Sequence, residues 1–276
     1  MIRLLACLWA TAALAAAQGP RIFIVTDMEG VGGVHNWDEQ TSPGQRRFDE
    51  SRRLLTGEVN AAVEGAFEAG ASEVVVWDGH GGSRSLSLED LHPRARLIQG
   101  PRTPATYYLE EKRYEGIMIV GQHARAGAKN GLLAHSQSRG VQNIFINGKP
   151  VGEIGQTAAI GGHFRIPVIL LTGDQAACDE MLEIQPKAET VAVKRMVGTA
   201  SALSLPHAEA RALIRRAARQ AVQRIAEFSP WIIEGPVEMK FEYNPETTKT
   251  GETKQAPPRI YRGRTVLEAY EQWIGR

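Results

Sequence analysis

Five short runs of almost uninterrupted apolar residues restrict the possible folds of this chain more than any other feature. Such runs are typical of strands buried on both faces of a sheet, because a half-exposed strand alternates apolar and polar side chains. The runs occupy residues 21–26, 73–78, 116–121, 143–148 and 167–172. We therefore predict a strand at each of them.

Segments with apolar residues at helical spacing separate these runs. They cover residues 46–70, 153–164, 175–184 (with Asp174 as N-cap) and 206–227, and a further short strand is predicted at 190–194. Alternating strands and helices predict an α/β fold with a largely parallel sheet flanked by helices. With 276 residues, 43% of them hydrophobic, the chain can bury a large core.

The C-terminal part of the chain has a different pattern. The segment 237–243 alternates apolar and polar residues, which is typical of an exposed antiparallel strand. A polar, proline-containing loop follows it, and then a short helix predicted at 265–274. We expect residues 18–276 to form one catalytic domain, with about 236–276 as a smaller C-terminal α+β extension.

The first 17 residues resemble a secretory signal peptide. One positive charge precedes a long apolar stretch that ends in small residues, with the expected cleavage after Ala17. The alternative is an anchor that the protein retains. A signal peptide predicts that the protein is exported, to a periplasm or to the exterior. Without the leader, Cys178 is the one remaining cysteine, and its apolar helical neighbours predict a buried side chain rather than a nucleophile.

The charge balance is nearly neutral, with 32 Lys and Arg against 31 Asp and Glu. This composition gives no electrostatic reason to expect a nucleic acid or, beyond the export signal, a membrane as partner.

Polar residues with metal-binding side chains follow three of the predicted strands. Asp27 and Glu29 come after the first strand, His80 after the second and His123 after the third. Ligands of open α/β sheets bind beyond the carboxyl ends of the strands, so we expect these residues to lie close together. Carboxylates and neutral imidazoles are ligands of zinc and similar divalent ions. The sequence therefore predicts a metal site at this edge.

Each of these residues also has a purely structural interpretation. Asp27 could cap a turn beside a solvated Glu29, His80 could lie in a surface turn, and His123 could be a hydrogen-bonded core residue. Two further candidates occur later in the chain, in a polar loop (His135) and at a helix start (Glu153). Glu153 could simply interact with the helix dipole. Asp78 could accept a hydrogen bond from His80 or could form the turn.

The order and spacing of several motifs resemble the zinc-dependent D-aminopeptidase family associated with bacterial dipeptide permeases. The motifs are TDMEGVGG, WDGHGG, LHPRARLIQG, VGQHARAG, AHSQS, NIFINGKPVGEIG and PVILLTGDQAA, within residues 21–200. The resemblance implies two Zn²⁺ ions per subunit. It also implies metal ligation by Asp27, Glu29, His80, His123 and Glu153, with Asp27 bridging both ions. His135 is the implied proton-transfer residue.

The resemblance further implies a binuclear zinc aminopeptidase that removes the N-terminal residue of short peptides, including peptides that contain D-Ala, by means of a metal-activated water. It implies self-association, with a homodecamer as the family's assembly. The loop between His123 and His135 is one residue longer than the family pattern, and the export signal departs from a cytoplasmic family. Two alternatives remain open at this point: another two-metal hydrolase (an amidase or phosphoesterase), and an exported protein that binds metal or peptide without catalysis.

Overall fold

The computed structural model describes residues 19–111, 113–247 and 251–275. Its strands, in chain order, are β1 (Arg21–Thr26), β2 (Glu73–Trp77), β3 (Arg96–Ile98), β4 (Gly116–Gln122), β5 (Val141–Ile146), β6 (Lys149–Val151), β7 (Val168–Asp174), β8 (Glu189–Val197), β9 (Ser201–Ser204), β10 (Val237–Tyr243), β11 (Glu246–Thr247), β12 (Thr253–Lys254) and β13 (Arg259–Gly263). Its α-helices are α1 (Trp37–Gln40), α2 (Phe48–Glu68), α3 (Glu153–His163), α4 (Gln175–Ile184), α5 (His207–Gln223) and α6 (Val266–Trp273).

A seven-stranded sheet forms the centre of the fold, in the order β3-β2-β1-β4-β7-β8-β9. All neighbours in it are parallel except β8 and β9. Every residue of β4 and β7 is buried, as their apolar sequences predict. The predicted α/β fold with a largely parallel sheet is therefore confirmed.

Helices cover both faces of this sheet. On β1, Ile22 and Ile24 face one core that also contains side chains of α2 and α5, such as Val59 and Ile214. The intervening Phe23 belongs to a second core with residues of α3 and α4. The alternation follows from the two-residue period of a strand.

A four-stranded antiparallel sheet, in the order β13-β10-β5-β6, contributes to the second core. The predicted strand at 237–243 is confirmed as β10, and it pairs antiparallel with both β5 and β13. The strand predicted at 143–148 exists as β5, but its grouping with the parallel strands was wrong. A tight turn at Asn147 (φ 49°) and Gly148 (φ 78°) folds β5 back onto β6 as a hairpin.

Two further local predictions, the Asp174 cap and the burial of Cys178, are confirmed. The Asp174 carboxylate accepts a hydrogen bond from the backbone N–H of Ala177 at 2.8 Å and caps α4 as predicted. Cys178 is buried, and burial raises the pKa of its thiol. The predicted signal peptide lies outside the described residues, among which no helix is long and apolar enough to cross a membrane.

Candidate metal centre

Two glycines allow the carboxyl ends of β1 and β4 to approach each other closely. The backbone N–H of Asp27 donates to Val120 O at 2.9 Å, and the N–H of Gly30 donates to Gly121 O at 2.8 Å. A Cβ at Gly30 would lie 1.9 Å from Gln122 O, and a Cβ at Gly121 would lie 2.2 Å from Asp27 O. Only glycine permits this contact, which places the loop after β1 beside the loop after β4.

The two carboxylate oxygens of Asp27 face two different histidines. Oδ1 lies 2.9 Å from His80 Nδ1, and Oδ2 lies 3.1 Å from His123 Nε2. A carboxylate that presents one oxygen to each of two imidazoles has the arrangement needed to bridge two cations.

The other two carboxylates extend this arrangement on either side of Asp27. Glu29 Oε2 lies 3.1 Å from His80 Nδ1, whereas Glu153 Oε1 lies 3.5 Å from His123 Nε2. The structure thus brings together all five residues predicted as metal ligands, as two half-sites that share Asp27. Ligand atoms of Asp27, Glu29 and His123 all lie within 4.8 Å of one another.

Each histidine at this edge donates one ring nitrogen to a backbone carbonyl, which can only accept. His80 Nε2 donates to Thr41 O (2.7 Å), His123 Nδ1 to Ala124 O (2.9 Å) and His135 Nδ1 to Leu133 O (3.0 Å). The opposite nitrogen of each ring therefore faces the carboxylates and is the one available to a cation. Such a division of the two ring nitrogens is typical of histidines that ligate metal.

The buried polar atoms of the cluster fit a divalent cation. Glu29 Oε2 and His123 Nε2 are buried, and their contacts of 3.1 Å with His80 and Asp27 lack hydrogen-bond geometry, so neither atom has a hydrogen-bond partner among the described residues. Burial raises the pKa of Asp27, but the charges of His123 and His80 outweigh it and hold that pKa well below its usual range. Burial lowers the pKa of His123, but Asp27 and Glu153 more than reverse this effect. The crowded carboxylates thus need positive charge here, which a divalent cation would supply.

His135 stacks on His123, with ring centroids 3.9 Å apart and an interplanar angle of 20°. The edge of Trp37 packs against it at 4.9 Å. His135 Nε2 lies 3.8 Å from Glu153 Oε1, so the longer loop before it still delivers the ring to the cluster. Its role in proton transfer remains a prediction.

Two residues that the sequence motifs did not single out, Lys194 and Gln122, support the ligands. The buried ammonium group of Lys194, on β8, donates to the backbone oxygens of Glu29 and Val34, and burial lowers its pKa to about 8. Gln122 Nε2 donates to Asp27 Oδ2 at 2.7 Å. The sequence did contain a signal for Lys194, because a lysine inside an apolar strand is rare unless it is paired.

Two acidic residues hold the backbone next to the ligands in place. Asp78 Oδ2 accepts from the N–H groups of Ser85 and Leu86, at 2.8 and 2.9 Å, so it shapes the glycine-rich loop. Of the two interpretations of Asp78, turn formation is the one that its hydrogen bonds support. The backbone N–H of Arg125 donates to Glu180 Oε2 at 2.8 Å, and this half-buried carboxylate holds the segment beside His123 in place.

Two cavities meet at the cluster, and Asp27, Glu153 and Gln137 line both. The first, the polar cleft, has a volume of about 540 Å³ and is also lined by Glu29, Trp37, His80, His135 and Arg139. The second, the aromatic chamber, is more enclosed and has a volume of about 150 Å³. Its walls include Trp77, Ala105, Tyr107, Tyr270 and Trp273.

Comparison with known proteins agrees with this geometry. The chain is 33% identical over 211 residues to a D-aminopeptidase of Bacillus subtilis (strain 168), a match that covers 76% of each chain. Its fold is similar to that of the Zn-dependent D-aminopeptidase DppA from Bacillus subtilis, described as a self-compartmentalizing protease. That match has a TM-score of 0.81 and 28% identity, and it covers 92% of this chain and 96% of the other.

The sequence model of the D-aminopeptidase family matches residues 21–266, which is most of the chain. The protein therefore belongs to the D-aminopeptidase family and is a hydrolase of the peptidase class.

Proposed function

We propose that this protein is a binuclear zinc aminopeptidase that hydrolyses the N-terminal residue of short peptides containing D-amino acids, with water as the nucleophile. The observation that carries the proposal is the orientation of Asp27, whose two oxygens lie 2.9 and 3.1 Å from nitrogens of His80 and His123. The similarity to a zinc-dependent D-aminopeptidase supports both the metal and the substrate class.

Two half-sites would hold the ions. Glu29 and His80 would ligate one Zn²⁺, His123 and Glu153 would ligate the other, and Asp27 would bridge them. Bound divalent cations supply Lewis-acid chemistry: they lower the pKa of water towards neutrality and polarise a carbonyl group. Lys194 fixes the backbone that carries Glu29, and Gln122 fixes one oxygen of Asp27.

His135 is the residue proposed to give a proton to the leaving amine. Its Nδ1 is committed to Leu133 O, so Nε2 is the nitrogen available on the side of Glu153. A protein that only binds metal or peptide does not need a further imidazole stacked beside the ligands. The presence of His135 there therefore favours catalysis.

The polar cleft suits a short peptide. Arg139 is the one Lys or Arg side chain among the described residues that line it. Its guanidinium lies 5.4 Å from the centroid of Trp37, beside His135. A guanidinium at this place would pair with the terminal carboxylate of a dipeptide.

Export and self-association complete the proposal. The leader at residues 1–17 would be removed after Ala17, and the mature enzyme would meet peptides in the periplasm or outside the cell. Assembly is supported by the self-compartmentalizing description of the structural relative. N-terminal sequencing of the exported protein, and its molar mass in solution by light scattering, test these two points.

The central test combines metal analysis with two dipeptides. Purified mature protein should contain two equivalents of zinc, lose activity on chelation and regain it with zinc. It should cleave D-Ala-D-Ala much faster than L-Ala-L-Ala. Faster turnover of a phosphomonoester than of either dipeptide would instead favour the phosphoesterase alternative. A zinc-loaded protein that turns over none of these substrates would favour the binding-protein alternative.

A further inference from the structure

The aromatic chamber adjoins the metal centre through Asp27 and Glu153, and nothing in the proposed chemistry yet uses it. Four aromatic side chains form a continuous wall. Trp77 meets Tyr107 edge-on at 5.4 Å, Tyr107 meets Tyr270 at 6.0 Å, and Tyr270 meets Trp273 at 5.7 Å. Such a wall favours an apolar occupant.

The position of His135 decides which part of a peptide faces the chamber. His135 lines the polar cleft and is not among the residues that line the chamber. If His135 protonates the leaving amine, the leaving residue lies in the cleft. Asp27 and Glu153, two of the residues that would hold the ions that polarise the scissile carbonyl, line both cavities, so that carbonyl would lie where the cavities meet. The residue on the other side of that carbonyl, the N-terminal one, must then point towards the chamber.

We propose that the aromatic chamber binds the side chain of the substrate's N-terminal residue and accepts apolar groups up to about the size of a benzyl group. This inference rests on the proposed function. A chamber of about 150 Å³ has room for one side chain, which accounts for removal of single residues, while the larger and more open cleft lets the rest of the peptide extend.

The volume and the charges of the aromatic chamber determine which N-terminal side chains it accepts. An engineered apolar cavity of about 150 Å³ binds benzene, and the chamber has a volume of about 150 Å³. An indole exceeds it. The charged groups among its described lining residues are the carboxylates of Asp27 and Glu153, with no Lys, Arg or His to pair with an acidic side chain. The chamber therefore rejects N-terminal Trp because of its size and N-terminal Glu because of its charge.

The backbone of the chamber wall supports a binding role. Tyr107 has φ 53° and its neighbour Tyr108 has φ 63°. The left-handed region costs roughly 1–2 kcal/mol for such residues, and strain of this kind is concentrated at ligand sites. This backbone places the Tyr107 ring edge-on against Trp77 in the chamber wall.

The test is a dipeptide series X-Ala in which X is Ala, Leu, Phe, Trp or Glu, in the configuration that the zinc-loaded wild type cleaves. We expect kcat/KM for Leu and Phe to exceed that for Trp and Glu by about tenfold or more. A second series, Ala-X with the same residues in the leaving position, should vary much less because the cleft is open.

Two variants change the chamber in opposite directions. Trp273→Leu enlarges it and should raise the ratio of kcat/KM for Trp-Ala over Ala-Ala about tenfold. Ala105→Leu, on a residue 3% exposed at the chamber wall, should lower the ratio for Phe-Ala over Ala-Ala by a similar factor. Trp231→Leu removes another partly buried tryptophan, away from both cavities, and is the matched control. Misfolding lowers kcat/KM for every substrate alike, so a higher ratio for Trp-Ala over Ala-Ala cannot arise from it.

The outcomes separate the two proposals. If the zinc-loaded wild type cleaves no dipeptide, the proposed function is overturned and the chamber assignment falls with it. If it cleaves dipeptides but neither variant changes the ranking of N-terminal residues, or Trp231→Leu changes it equally, only the chamber assignment is overturned. Opposite shifts from Trp273→Leu and Ala105→Leu would establish the chamber as the site of the N-terminal side chain.

Discussion

Two regions of the molecule place their polar and charged groups in opposite ways: the carboxyl edge of the parallel sheet, and the antiparallel sheet formed by β5, β6, β10 and β13. The first crowds carboxylates and imidazoles at low exposure, and within the described part of the chain it gives Glu29 Oε2 and His123 Nε2 no contact with hydrogen-bond geometry. The second places Met239 and Phe241 in a core and pairs its charges at the surface, as in the contact of Arg262 with Glu238 at 2.6 Å. The edge is arranged for chemistry and the antiparallel sheet for stability.

This contrast predicts that substitutions at the edge mainly reduce activity, whereas substitutions in the antiparallel sheet mainly reduce the free energy of unfolding.

The largest effect is expected at Asp27. Asp27→Asn removes the charge that both half-sites share, so zinc content should fall well below two equivalents. Loss of Lewis-acid catalysis is worth several kcal/mol, which corresponds to a decrease in kcat/KM of about 10³-fold or more.

Asp90→Asn is the control for this change, because Asp90 is exposed and outside the site. Zinc content by mass spectrometry and kcat/KM on D-Ala-D-Ala are measured together. Full zinc occupancy in the Asp27 variant would contradict the bridging role.

The second effect separates proton transfer from metal binding. His135→Gln keeps a polar side chain but removes the titrating imidazole, so kcat should fall by about 10²–10⁴-fold. Zinc content should remain near that of wild type, since the five proposed ligands are intact. His92→Gln, which changes a histidine paired with Glu64 outside the site, is the matched control. Unchanged turnover in His135→Gln would exclude the proton-transfer role.

The third effect belongs to the antiparallel sheet. Phe241 is 1% exposed and stacks on Trp273 with ring centroids 5.1 Å apart. Phe241→Ala should lower the free energy of unfolding by about 3–5 kcal/mol. Ile260→Ala, on the neighbouring strand and at a residue 43% exposed, should cost far less. Denaturant titration measures both, and a loss of zinc from folded Phe241→Ala without loss of stability would refute the division between the two regions.

The fourth effect tests a residue that links core and site. Lys194→Met leaves the backbone oxygens of Glu29 and Val34 without their donor, which should cost about 1–3 kcal/mol of stability. It should also weaken zinc binding by about 10–100-fold, as loss of supporting partners commonly does. Arg195→Met, at the exposed next residue, is the control. Zinc affinity by competition with a chelating dye decides whether Lys194 supports the site.

The same two regions differ in how well the sequence predicts them. Parallel strands such as β4 and β7 are buried on both faces, so their apolar runs predicted them to within two residues at each end. Asp27 and His123 could be located because polar residues directly after such strands lie at one edge. These inferences need only local pattern and one general rule of topology.

Other features depend on long-range pairing that no local pattern specifies. Lys194 reaches a loop about 160 positions earlier only because β8 lies beside β7 in the sheet order. Trp37 and His135 are also far apart in the chain, and they meet because the loops after β1 and β4 lie side by side. The membership of β5 is a different case, because the Asn-Gly dipeptide at 147–148 is a strong hairpin signal that should have separated this strand from the parallel series.

The smallest expected effect tests that hairpin. Asn147 adopts φ 49°, accepts from the N–H of Glu238 through Oδ1 at 2.8 Å, and donates to Pro236 O through Nδ2 at 3.2 Å. Asn147→Gly keeps the backbone conformation but loses both side-chain bonds, whereas Asn147→Ala loses the bonds and also strains the turn. Each bond lies at an exposed position, so their loss should cost at most about 1 kcal/mol, and the left-handed alanine should cost about 1 kcal/mol more. Wild type should therefore be the most stable and Asn147→Ala the least, with zinc content and kcat/KM equal in all three. An alanine variant as stable as the glycine variant would show that the turn geometry contributes nothing, and altered kinetics would show that the hairpin also positions the site.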